Sequence, residues 1–202
     1  NATILHYRKN DRRLGDNELL LIDAGAEYGY YASDVTRTFP VSGKFTAPQR
    51  AVYELVLRAQ VAAIEAVRPG TTLEAIHSVA VDSLVDGLLA LGIIAGPREG
   101  AVERGEFRRY YMHRTSHWLG LDVHDVGRYH DAGAPRVLAP GMVLTIEPGL
   151  YLQANADVAS EYKGIGVRIE DDILVTPEGH ENLTFDIPKE VAEVEHILTS
   201  RG

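Results

Sequence analysis

The stretch that most limits what this chain can fold into is residues 19–39, LLLIDAGAEYGYYASDVTRTF. Apolar Leu19 to Ile22 leads into Asp23, and Tyr30 to Phe39 alternates aromatic, β-branched and polar residues, so the segment reads as two antiparallel strands. A tight connection centred on Tyr28-Gly29 would make paired residue numbers sum to 57 and set Asp23 directly opposite Asp34. Carboxylates facing each other have Cβ atoms roughly 4.5–5.5 Å apart, and like charges there destabilise the pair. A hard divalent cation relieves that repulsion through the carboxylate oxygens. The hairpin is therefore expected to be half of a metal site. Two solvated aspartates on an exposed face would look the same in the sequence.

The remaining chain mixes strands and helices without strict alternation, which predicts an α+β fold with a largely antiparallel sheet. Residues 2–7 read as a short strand. Val52, Leu55, Val56, Ala59 and Ala63 recur at helical spacing, predicting an amphipathic helix over 48–67. Thr71 and Glu74 have capping-box spacing for a second helix running to about Leu91. Residues 107–112, 142–146, 150–152 and 166–175 read as strands, and a last helix is expected over about 188–198. No repeat or interdomain linker interrupts the 202 residues, so one domain is expected. The net charge of -9 argues against nucleic acid or an anionic membrane as partner. With zero cysteines, any metal must be held by oxygen and nitrogen, an absence that also fits a cytoplasmic protein. The chain opens without Met and in mid-pattern, the expectation for a piece of something longer.

Residues 112–127, MHRTSHWLGLDVHDVG, place three of the eight histidines (His113, His117, His124) within twelve positions. Glu147 ends an apolar strand in TIEPGLY, and Pro148-Gly149 turns it. In GVRIEDDILV, Val167 and Ile169 lie on one face and Arg168, Glu170 and Asp172 on the other. A carboxylate inside an apolar strand is costly unless paired or metal-bound, which favours Glu170 over the exposed-looking Asp171 and Asp172. Four carboxylates and an imidazole suffice for two metal ions with shared ligands, an arrangement that can generate a hydroxide nucleophile at neutral pH.

The strings IDAG…SDVTRTFP, SHWLGLDVHDVG, TIEPGLY and GVRIEDD together resemble the catalytic domain of Xaa-Pro aminopeptidase (aminopeptidase P), a pita-bread metallopeptidase related to prolidase and the methionine aminopeptidases. The likeness runs from about residue 2 to residue 198. It implies a pita-bread fold and two divalent ions, most often manganese, with cobalt or zinc equally suited to the donor set. It also implies a hydrolase that releases the residue preceding a proline in peptides, and a homo-oligomer in the full-length protein. By the same likeness Asp23 is a terminal ligand of one metal, His117 and Glu147 are terminal ligands of the other, and Asp34 and Glu170 bridge. Glu147 doubles as proton carrier beside a bridging hydroxide that attacks the scissile carbonyl. His113 and His124 match the two non-ligand histidines that contact substrate and stabilise the tetrahedral intermediate. His6, Tyr151 and Arg168 match residues lining the substrate pocket, each with a plain structural alternative, and Trp118 reads as core.

Two departures stand out. Arg114-Thr115 occupies the place of a Gly-Leu-type pair, so the loop around His113 is expected to take its own shape. The family's N-terminal domain and the first part of its catalytic domain have no counterpart here, so a segment outside these residues is expected to complete the pocket. Prolidase, which takes only dipeptides, a non-catalytic pita-bread module that binds peptides or proteins, and a fragment with no activity of its own remain open readings.

Overall fold

In the computed structural model, residues 2–200 are described. Among these residues, eleven strands, all paired antiparallel, and four α-helices follow one another. Strand β1 (Leu19–Ala24) pairs with β4 (Val35–Pro40), and between them β2 (Glu27–Tyr28) and β3 (Tyr31–Ala32) form the hairpin tip. Helices α1 (Ala47–Glu65) and α2 (Leu73–Ala90) pack side by side, and a short α3 (Ala101–Arg104) follows. The small hairpin β5 (His130–Asp131) and β6 (Ala134–Pro135) precedes β7 (Val143–Ile146), β8 (Gly149–Tyr151), β9 (Gly166–Arg168), β10 (Asp171–Val175) and β11 (His180–Asn182). Helix α4 (Val191–Thr199) closes the chain. Strand β10 is central between β7 and β11, and β8 pairs with β9.

The hairpin register corrects the expected one. Its turn is centred on Gly29-Tyr30, both at positive φ (58° and 69°), so partners sum to 59 and Asp23 lies opposite Thr36. A two-residue connection of the primed type requires left-handed backbone at both central positions, and Gly29 supplies the first without strain. Moving the turn by one residue shifts the partner by two, so every side chain keeps its face. Asp23 and Asp34 are thus diagonal neighbours rather than directly opposed, with Gly25 in the position facing Asp34.

Helix α1 is capped by Thr46 through a reciprocal capping box with Gln49. The cap of α2 is Thr72, whose side chain accepts from the Ala75 N–H, rather than Thr71. The two helices approach closely at Gly87, where a Cβ would stand 2.0 Å from Leu55 Cδ1. One buried cluster joins α1 and α2 to Leu150, Val167 and Ile169, and a second joins the C-terminal end of α1 to Trp118, Ile146 and Ile173. Both helices thereby form a layer behind the strands that carry the acidic residues.

Three other expectations are corrected. Residues 2–6 form turns rather than a strand, and their backbone lies on β9, where a Cβ on Gly166 would come 2.2 Å from the Ala2 carbonyl oxygen. Residues 106–109 form a 3-10 turn entered through Gly105 at φ 66°, in place of the strand expected over 107–112. The strand expected over 166–175 is broken at Ile169-Glu170. No helix among the described residues is long and apolar enough to cross a membrane.

Candidate metal centre

The break between β9 and β10 turns Glu170 toward the hairpin. Its N–H donates to the Thr36 carbonyl (3.1 Å), and the Thr36 hydroxyl donates to Glu170 Oε2 (2.5 Å). Arg37 Nη1 donates to the Glu170 carbonyl at 2.6 Å. Thr38 ties β4 to β9 by donating to the Arg168 carbonyl (3.0 Å). Residues 115–119 run along β7: Thr145 N–H donates to the His117 carbonyl (3.0 Å), and Glu147 N–H to the Thr115 carbonyl (2.8 Å). Those two bonds bring His117 and Glu147 to the same rim as Asp23, Asp34 and Glu170.

The five residues expected as ligands converge. His117 Nε2 lies 3.4 Å from Asp34 Oδ2, 3.5 Å from Glu147 Oε1 and 4.0 Å from Glu170 Oε1. Donor atoms fall into three overlapping groups, each within 4.8 Å: Asp23, Asp34 and Glu170; His117, Glu147 and Glu170; and Asp34, His117 and His124. His124, expected as a non-ligand, stacks perpendicular to His117 with ring centroids 4.4 Å apart. All of these residues line one cavity of about 430 Å³, along with His6, His113 and Arg168.

The donor set fits divalent cations. Glu170 is 1% exposed, and its Oε1 has no hydrogen-bond partner among the described residues. His117 Nδ1 lies 3.0 Å from the Trp118 carbonyl, so Nδ1 carries a proton and Nε2 is the atom offered to the carboxylates. The electrostatics are those of a crowded acidic cage. Burial, with Asp34 and Asp23 adding, pushes the Glu147 carboxyl up to about 7. Burial and the neighbouring Glu147 and Asp34 raise Glu170 well above the ordinary carboxylate range. Asp23 is raised by burial and by Asp34, with Arg168 opposing. Burial works against ionisation of Asp34 and of His117, yet their mutual contact lowers the one and raises the other. A divalent cation would take the place of the protons these groups retain.

The expected pocket residues form a relay on one side of the cage. Arg168 Nη2 donates to Asp23 Oδ2 (2.5 Å), and its Nη1 to the Tyr151 hydroxyl (2.9 Å). Tyr151, fully buried, stands 2.8 Å from His113 Nε2, and His113 Nδ1 stands 2.7 Å from the Arg114 carbonyl. Each donor is used when Arg168 donates to Tyr151, Tyr151 to His113 Nε2, and His113 Nδ1–H to Arg114. Burial pushes His113 down to about 4, so the ring is neutral at pH 7. His124 is exposed and makes no hydrogen bond among the described residues.

Sequence reasoning missed Thr36 and misjudged Asp171 and Asp172, which are 0% and 3% exposed. Asp171 accepts from Arg37, Gln60, Lys189, Asn182 and Thr184, and Asp172 Oδ2 accepts from the Asp34 N–H at 3.2 Å. Their signal was the unbroken run of three acids inside an apolar strand, which leaves no solvent-facing alternation for all of them.

Antiparallel strand ends that bring four carboxylates and an imidazole into one cage define a centre of the kind that can hold divalent metal ions. Residues 1–177 match the model of metallopeptidase family M24, and the chain belongs to that family. It is 51% identical over 198 residues to the Xaa-Pro aminopeptidase of Haemophilus influenzae, covering 98% of this chain and 46% of that protein. Against the Xaa-Pro aminopeptidase of Escherichia coli it is 48% identical over 200 residues, covering 99% and 45%. Zinc-substituted E. coli aminopeptidase P in complex with product superposes with a TM-score of 0.97 at 47% identity, over 100% of this chain and 46% of that one. Proline aminopeptidase P II from Yersinia pestis gives 0.96 at 50% identity, over 100% and 46%. The fold is accordingly the pita-bread fold, and the chain spans a little under half the length of the relatives it matches.

Proposed function

We propose that this chain is the catalytic portion, a single domain over 1–202, of a cytoplasmic, homo-oligomeric Xaa-Pro aminopeptidase. The observation that carries the reading is the convergence of Asp23, Asp34, His117, Glu147 and Glu170 on one cavity that also holds His6, His113 and Arg168. These five would hold two divalent cations, manganese by preference, with Asp34 and Glu170 shared between them. Such a pair supplies Lewis-acid polarisation of the scissile carbonyl and a hydroxide nucleophile at neutral pH.

The chain's own residues do the rest. Glu147, on the rim of the cavity beside the two cation positions, accepts and returns a proton at its carboxylate during hydrolysis. The exposed imidazole of His124 donates to the substrate as charge develops on the carbonyl oxygen. His113, pinned by Tyr151 and Arg114, shapes the same wall, and Arg168 orients Asp23 through a charge-assisted bond. His6 lines the cavity where the proline side of a peptide would lie. The substrate is a peptide with proline second.

Parallel assays of the manganese-loaded chain on an Xaa-Pro dipeptide and an Xaa-Pro-Xaa tripeptide test this. Release of the first residue from the tripeptide is the expected result. Cleavage of the dipeptide alone would make the chain a prolidase, and no cleavage of either would contradict the enzymatic reading.

A further inference from the structure

The wall behind His113 contains a polar chain that the reading above does not use. Tyr111 is 1% exposed and Thr115 0%, and their hydroxyls stand 2.6 Å apart. The same Thr115 Oγ1 stands 2.8 Å from Nδ1 of His77, which projects from α2. Oγ1 carries one proton, so it donates to one neighbour and accepts from the other. If it donated to Tyr111, the buried phenol proton would be left without an acceptor, because that hydroxyl makes no other hydrogen bond among the described residues. Both hydroxyl protons are used when Tyr111 O–H donates to Thr115 and Thr115 O–H donates to His77 Nδ1. This makes His77 the Nε2–H tautomer.

The chain reaches two groups of the proposed machinery. Tyr111 meets His113 edge-on with ring centroids 5.0 Å apart, so His113 is held between Tyr111 and Tyr151. The Thr115 carbonyl accepts the Glu147 N–H. One residue thus fixes the ring behind His113 with its side chain and the backbone of Glu147 with its main chain. Burial lowers the His77 imidazole, with Arg114 and Arg108 adding, which matches a neutral acceptor at this position.

We propose that Thr115 is a positioning residue of the active site and that His77 anchors it to helix α2, so that the hydroxyl chain His77–Thr115–Tyr111 sets the orientation of His113. This rests on the reading in which His113 and Glu147 serve peptide hydrolysis. A leucine at 115, as in the pattern the sequence resembles, has no hydroxyl to make this chain, so the device belongs to sequences with a hydroxyl there.

The test compares Thr115→Val, which removes the hydroxyl at equal volume, with Thr115→Ser, which keeps it, and with His77→Ala on the half-buried helix face. Thr115→Val should lower kcat about tenfold with KM within about twofold, the scale seen when an outer-shell hydrogen bond is lost. His77→Ala should do the same more weakly, and Thr115→Ser should restore the parent values. Imidazole ¹⁵N–¹H spectra of the metal-free chain read the orientation of His113 without any activity. The His113 signals should shift in Thr115→Val and His77→Ala and return in Thr115→Ser. Unshifted His113 signals in folded Thr115→Val would overturn the proposal whatever happens to kcat. A parent chain that cleaves no Xaa-Pro peptide would defeat the functional reading instead, and the spectra would still decide the positioning role.

Discussion

Asp171→Asn is the most informative single change in the scaffold. The carboxylate is 0% exposed and accepts from the Arg37 guanidinium (2.7 Å), the Lys189 ammonium (2.6 Å), Gln60 (2.7 Å), Thr184 (2.8 Å) and Asn182 (3.1 Å). Asparagine keeps the volume but turns an NH₂ toward donors and leaves two cations without their counter-charge. Removing one partner of a buried pair costs roughly 3–5 kcal/mol, against about 5–15 kcal/mol of total stability for a domain. At about 2–4 °C per kcal/mol for a chain of this size, the melting temperature should fall by roughly 6–20 °C. Burial opposes ionisation here, but Arg37 and Lys189 hold the Asp171 carboxyl below its ordinary range. Its stabilisation is therefore present above the unfolded-state pKa and lost as pH falls through the lowered folded value. Urea unfolding followed by circular dichroism should show the full deficit at pH 7 and a smaller one near pH 3. A loss under about 1 kcal/mol at pH 7 would refute the reasoning, since it would mean that the buried network is no better paired than an exposed ion pair.

Other consequences follow from the same structure. Glu147, Glu170, Asp23 and Asp172 all have raised carboxyl pKa values, Asp172 pushed up to about 7 by burial against the opposing hydrogen bond from the Asp34 N–H. Groups raised in the folded state stabilise below the unfolded pKa and lose that contribution as pH climbs, so the metal-free chain should become less stable from pH 5 to pH 8. Saturating Mn²⁺ should flatten or reverse that slope in thermal melts. Gly166→Ala places a methyl on the backbone of Ala2 and Thr3, which should lift the segment carrying His6 from the cavity and raise KM for Xaa-Pro peptides while the metal content of the dialysed protein stays unchanged. His124→Ala should lower kcat by about 10²-fold or more, the range of a lost acid–base or oxyanion partner, with metal content intact by elemental analysis.

The acidic hairpin and the five convergent residues were legible because each sits in a local pattern: an apolar strand interrupted by one carboxylate, or a histidine cluster after a loop. Their faces survived a wrong turn position because side chains in a strand repeat every two residues. What stayed hidden depends on partners far along the chain. Thr36 looks like an ordinary strand threonine until Glu170, 134 residues away, is placed beside it. Asp171 reads as exposed until the topology buries it against Arg37. The strand expected over 107–112 failed because Gly105 adopts a left-handed turn, a local choice that the apolar and aromatic content of the segment does not report. Thr115 stood out in the sequence only as a departure, and its meaning required the position of His77 on α2.

Metal stoichiometry after dialysis of the chain against manganese buffer, read by elemental analysis beside Asp34→Asn, bears on the central claim most directly. The account predicts about two ions per chain, and loss of both in Asp34→Asn, because in the proposed site Asp34 serves both positions. A folded chain with near-zero metal, or an Asp34→Asn protein that binds as much as the parent, would contradict it.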